Sequence, residues 1–130
     1  MTPAVHLDWI QIRGLARSLN LPGIHEDTLP GGNPCLMAHG RLWTWWDRAQ
    51  NAPGFRLPDG EREFLIASDP EIFFIAPGET HYSHVLARPD KVSWRWVLGN
   101  LSLSWRALAP RSFVQLFPGE GPPVPHLTEH

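Results

Sequence analysis

The sequence has a single cysteine, Cys35, so an internal disulfide is excluded and no second thiol exists to build a CxxC metal knuckle or a redox pair. It also lacks any apolar run approaching the roughly 18 residues of a membrane-spanning helix. The opening MTPAVHLDWIQIRG has no basic start followed by a long apolar stretch, so no secretory signal is expected. Charge of one sign is not in excess: 11 Lys and Arg against 13 Asp and Glu leave a net charge of -2. There is no run of Lys or Arg either, so the overall field advertises neither nucleic acid nor an anionic membrane, and any basic surface must be local. A phosphate loop is missing too, because GGN at 31–33 has neither the following helix nor the Lys. Internal repeats are absent. These absences leave a soluble, cytoplasmic protein with no membrane partner as the expectation.

What is present is apolar and aromatic. The 130 residues are 42% hydrophobic, with seven Trp and six Phe, enough for one sizeable core and one domain. That domain is expected over residues 1–117. The remainder, 118–130, is rich in Pro and Gly and reads as a flexible tail.

The periods change along the chain from helical to strand-like and back. Trp9, Ile12, Ala16 and Leu19 recur at three and four, one buried stripe of a first helix that Pro22-Gly23 stops. Ile24 to Leu29 reads as a strand. CLMA and RLWTWW flank His39-Gly40, a two-residue hairpin turn in which Gly takes a positive φ without steric cost. Simple alternation puts Trp43 and Trp45 on one face of that strand and Trp46 on the other. NAPGFRLPD, residues 51–59, reads as loop, and GEREFLIAS as a short helix capped by Asp59. FFIA and HVLAR are strands joined by PGETHY. The fold class expected is therefore α+β, a single antiparallel sheet of four to six strands flanked by N- and C-terminal helices.

The last helix is predicted from Lys91 to Leu108, ending where Pro110 disfavours helical backbone in Ala109. At about 100° per residue, Trp94, Val97, Leu98, Leu101, Trp105 and Leu108 form its core face. Lys91, Arg95, Gly99, Ser102 and Arg106 fall on a second stripe, with Arg88 and Arg111 near its ends. Trp96, Leu103 and Ala107 lie opposite the core, where they require a cover: the segment 113–117 folded back, or a second copy of the chain.

The segments LPGIHED, GNPCLMAHGRLWTW, DPEIFFIAPGETHYSHVLARPD and SWRALAPRSF, in that order, resemble the MmcQ/YjbR family over roughly Leu15 to Phe113. The resemblance implies a frataxin-like (CyaY-like) fold with helices on one face of an antiparallel sheet. It also implies DNA binding, proposed for several members through a double-wing arrangement. Two departures bear on this: Arg41 stands where Lys is common after the hairpin Gly, and the segment from Asn51 to Glu61 is abbreviated, which leaves the length of the middle strands open. The acidic iron-binding ridge of frataxin-like proteins does not carry over, since the first helix offers only Asp8.

No catalytic residue, metal or cofactor is expected. His81 and His84 are three apart, which in a strand sends them to opposite faces, and neither His39 nor His25 with Glu26 and Asp27 has a spacing that demands a metal. Adjacent Glu26 and Asp27 face opposite ways on a strand, and Cys35 suits a small buried hydrophobe rather than a thiolate nucleophile. Two readings of function remain. One is a weak, sequence-tolerant DNA-binding module using Arg88, Lys91, Arg95, Arg106 and Arg111. The other is a protein-interaction or small-ligand-binding domain, including a homodimer through the last helix, that uses Trp96 and Leu103 with His81 and Tyr82 as contacts at a groove edge.

Overall fold

The structure is a computed structural model that describes residues 6–111. Its elements follow in the order α1 (Trp9–Ser18), β1 (Ile24–Thr28), β2 (Pro34–Ala38), β3 (Arg41–Asp47), β4 (Ala52–Arg56), α2 (Glu61–Ser68), β5 (Phe73–Phe74), β6 (His84–Ala87) and α3 (Trp94–Leu108). The strands form one six-stranded sheet, wholly antiparallel, in the order β1-β2-β3-β4-β6-β5. This is an α+β fold. The expected flexible tail at 118–130 and the expected cover at 113–117 lie outside the described residues.

Helices α1 and α3 pack on one face of the sheet. Ile12 and Ala16 from α1 and Val97, Leu101, Trp105 and Leu108 from α3 meet Leu36, Ala38, Trp43, Phe55, Phe73, Val85 and Ala87 in the main core. Two indoles lock this layer, since a buried N–H must find an acceptor. Trp43 Nε1 donates to the Leu101 carbonyl at 3.1 Å and to Ser104 Oγ at 3.0 Å, and Trp105 Nε1 donates to the Pro22 carbonyl at 2.8 Å. The start of α1 carries a capping box: Asp8 accepts from the Gln11 amide while the Gln11 side chain accepts from the Asp8 amide. The helix stops before Pro22-Gly23, at Asn20, which takes a φ of 54°.

The opposite face of the sheet carries a second, smaller cluster of Cys35, Trp45, Ala52 and Leu86, edged by Met37, Leu42 and Phe74. Trp43 and Trp45 thus lie on opposite faces, against the expectation from alternation. The cause is a β-bulge: Leu36 pairs with Thr44 but Met37 pairs with Leu42, so Trp43 is an extra residue and the alternation beyond it is shifted by one.

Residues 52–56 are a central strand, not the loop expected from NAPGFRLPD. Pro53 is tolerated because β6 pairs with β4 only from Gly54 onward, so Pro53 has β3 as its sole neighbour. Gly54 is required by its cross-strand partner, because the Trp45 indole occupies the space of a Cβ. Helix α2 forms where expected, but its N-cap is Gly60 at φ 83° with no side-chain cap bond, not Asp59. Strand β5 is two residues long rather than FFIA.

Helix α3 begins at Trp94, capped by Ser93 Oγ, which accepts from the Trp96 amide at 3.0 Å. Lys91 therefore precedes the helix instead of opening it. The buried face is also rotated from the one expected. Trp94 is 45% exposed, whereas Trp96 is half-buried, its ring 5.2 Å from Phe55 and 4.7 Å from Phe73. The core side therefore runs through Val97, Asn100, Leu101 and Ser104, and Trp96 is covered by the sheet's own aromatics.

Candidate functional site

Rotating α3 in this way leaves its outer side as the floor of a groove. Arg95, Gly99 and Leu103, four apart along one row of α3, form the floor, and Trp94, Trp96, Leu98, Asn100 and Ser102 of the same helix also line it; Leu19 from the end of α1 and Leu57, Pro58, Glu61 and Leu65 from the β4–α2 connection and α2 complete the lining. The groove encloses about 770 Å³ and its lining is predominantly apolar. Gly99 opens it at mid-length, since a Cβ placed there would touch none of the described residues within 4 Å. Polar groups are few. Arg95 stacks over the Trp94 ring at 5.2 Å, and Glu61 stands exposed in the first turn of α2.

A second polar cluster lies on the opposite face of the sheet, in the stretch PGETHYSH. His84 opens β6, but His81 lies in the preceding loop, not in the strand. The two rings are therefore not sent to opposite faces: they stack in parallel at 4.0 Å. Tyr82 stacks on His81 at 5.2 Å, and His84 tilts against Trp45 at 4.6 Å, so four rings run in file from the sheet to the loop tip. Arg62 fastens the loop by donating to the carbonyls of His81 at 2.8 Å and His84 at 3.4 Å.

Electrostatics within this file set the protonation states. Burial, then the neighbouring His81 ring, pushes His84 down to about 4, against the pull of Glu79 and with Arg56 adding to the depression. Burial works to raise Glu79, but the His81 and Thr80 amides and the His84 ring together hold it below the usual carboxylate range. An ionised Glu79 can only accept, so the 3.2 Å contact to His84 Nδ1 fixes the neutral tautomer with its proton on Nδ1. The His84 Nε2 lone pair is then buried with no hydrogen-bond partner, and no hydroxyl or thiol among the described residues stands within reach to be activated. Among the described residues no group of three His, Cys, Asp or Glu side chains could hold a metal ion. None of their helices is long and apolar enough to cross a membrane.

The five candidate cations are not brought together. Arg88 is held over the Phe74 ring at 4.6 Å, Lys91 is exposed in the turn before α3, and Arg95 lies over Trp94. Arg106 is half-buried in the last turn of α3, about 16 Å along the axis from Arg95. Arg111 is exposed just past the helix end. Ser102, expected on the same basic stripe, is buried. Of the other candidates, Leu103 lines the groove, Trp96 reaches both groove and core, and His81 and Tyr82 stand outside it. Sequence reasoning missed Leu19, Leu57, Leu65 and Gly99. A glycine mid-helix was the available signal, because it weakens the helix and so points to a packing or functional reason for its being there.

The fold is similar to that of a solved structure, the Deinococcus radiodurans protein DR2400, described as carrying the domain DUF419: the TM-score is 0.64 at 17% identity over 88% of each chain. No family model and no curated protein matches the sequence.

Proposed function

We propose that this chain is a binding protein, not a catalyst, and that its ligand is a small, largely apolar molecule seated in the groove along α3. The observation that carries the reading is the groove itself: about 770 Å³, apolar in its lining, with Arg95 and Glu61 among the few polar groups that would orient a guest. Small-molecule sites have this size and this ratio of apolar to polar wall. We also place the chain with the MmcQ/YjbR family, to which DUF419 is related, on the strength of the sequence resemblance together with the shared fold.

The probe is an anilinonaphthalene sulfonate dye, apolar with one anionic group. It is expected to bind saturably, one dye per chain, and Gly99→Leu is expected to abolish that binding by filling the floor. The variant should fold at least as well as the parent, because removing a mid-helix glycine favours the helix by up to about 1 kcal/mol. Saturable binding unchanged in Gly99→Leu would sink the groove as the site. A concentration-dependent dimer that Gly99→Leu breaks would instead assign the groove to a second copy of the chain.

A DNA-binding reading is favoured by one observation: Lys91 and Arg95 are exposed and no ion pair is formed by either among the described residues. Arg88, held over Phe74 on the other face of the sheet, does not join them, so two cations stand near one end of α3. Binding to duplex DNA is then expected to be weak, with a log-log salt slope of about -2. Lys91→Gln and Arg95→Gln should each reduce it by about one. The absence of saturable binding at low salt would remove this reading and leave the groove untouched.

A further inference from the structure

Beyond the α3 groove, and without resting on it, a polar recess lies at the end of the sheet where β3 begins and β4 ends. It encloses about 260 Å³, and its wall includes Arg41, Arg56, Tyr82 and Ser83, with Asp59 and Ser104 completing the polar groups. We propose that this recess is an oxyanion site that binds a phosphate group between the Arg41 and Arg56 guanidiniums.

Charge and position support this. Arg41 opens β3 and Arg56 closes β4, so the two strand ends bring both side chains to the same recess. Two like charges held together repel and gain only if a counter-charge enters. Neither arginine forms an ion pair with a carboxylate among the described residues, although Asp59 shares the wall. The pKa of Arg56 is lowered accordingly, first by burial and next by Arg41, with Tyr82 and Asp59 pulling the other way without offsetting them. A phosphate dianion offsets both charges at once, and planar guanidiniums present paired N–H donors that match its oxygens. Tyr82 and Ser83 line the same wall. The frame is also fixed before any ligand arrives. Asn100 Nδ2 donates to the Arg56 carbonyl at 3.1 Å, and Tyr82 is backed by the stacked His81 and His84 rings. Binding thus has mainly the exposed Arg41 side chain left to order.

The competing role for two arginines at this place is to neutralise the carbonyls at the end of α3, which contributes Ser104, Ala107 and Leu108 to the recess. That role involves no ligand, so calorimetric titration separates the two. Inorganic phosphate is expected to bind saturably to the full chain. Arg41→Gln and Arg56→Gln are each expected to weaken binding at least tenfold, and Arg56→Lys to weaken it also, since charge without the planar fork loses the paired bonds. Arg48→Gln, an exposed arginine just past the far end of β3, should leave it unchanged. Arg41 is exposed, so its variant is not expected to perturb folding and keeps the test open if Arg56→Gln fails to fold. A parallel titration with phenyl phosphate identifies the source: tighter binding than inorganic phosphate assigns the site to a phosphomonoester whose ring meets Tyr82, and equal or weaker binding assigns it to free phosphate. Failure of both anions to bind, or binding that survives Arg41→Gln and Arg56→Gln unchanged, would overturn the proposal and leave the arginines to the helix end.

Discussion

Gly54→Ala is expected to destabilise the protein by about 3 kcal/mol, the upper end of what overpacking a core costs. The added Cβ would lie 2.0 Å from Trp45 Cε2, 2.2 Å from Nε1 and 2.5 Å from Cζ2. None of this is backbone strain, because Gly54 is in a strand and its φ is not positive. The indole has nowhere inexpensive to go: Trp45 is 5% exposed and His84 lies against it at 4.6 Å. Urea denaturation of four proteins, the parent, Gly54→Ala, Trp45→Val and the double variant, isolates the contact. Removing the indole should relieve the alanine, so the double variant is expected to lose at least about 1 kcal/mol less than the two single losses added together. Additive losses would mean that Gly54 does not act through Trp45.

That pair also marks where sequence reasoning stopped. The hairpin at His39-Gly40 and the helix from Trp9 were legible because turn chemistry and a 3.6-residue period are local signals. His39 and Gly40 both take positive φ, at 55° and 76°, as a two-residue turn of this kind requires. Strand β4 was not legible, since Pro53 and Gly54 carry loop signals of their own. What makes them strand is the partner across the ladder: Trp45 needs a residue without a Cβ, and the absence of β6 beside Pro53 leaves its missing N–H unneeded. The bulge at Trp43 escaped for a similar reason, because a period of two cannot register one inserted residue.

The candidate site fared worse than the fold, and the reason is again distance in sequence. Whether Trp94 or Trp96 faces the core is decided by Phe55 and Phe73, which are remote from α3 in the chain. A helical wheel of α3 alone is blind to them. The groove and the recess both form where separate elements converge, which is why Leu57 and Pro58 appear in the walls of each. His81 and His84 were misread because the loop-to-strand boundary falls between them, and three residues across such a boundary allow the parallel stack that three residues within a strand forbid.

Burial of the inner ring of that stack, His84, is expected to make the protein acid-sensitive at an identifiable residue. His84 is neutral in the folded state, with its pKa lowered from 6.5 to about 4, while in the unfolded chain it returns to the ordinary value. Between those two values the unfolded state binds the extra proton, so stability rises with pH across that window and falls on acidification. At about 1.4 kcal/mol per pH unit for one proton, the loss between neutral pH and pH 4 approaches about 3 kcal/mol. The side chain is only 12% exposed, so solvent screening removes little of this. The groups that face His84 pull in both directions. His81 and Arg56 oppose its protonation; Glu79, 3.2 Å from Nδ1, favours it but does not overcome burial. His39 and His81 are shifted the same way and add to the slope, and Glu79, also shifted down, contributes a further loss once the pH falls below its unfolded value of 4.5. His84→Phe isolates the one residue, because it keeps a ring between Trp45 and His81 but cannot take the proton. Denaturant titrations at several pH values from 7 to 4.5 should show a parent whose stability falls more steeply than the variant's, by close to one proton's worth of slope. Parallel pH dependences in the two proteins would show that His84 is not held neutral, and that the acid sensitivity resides elsewhere in the fold.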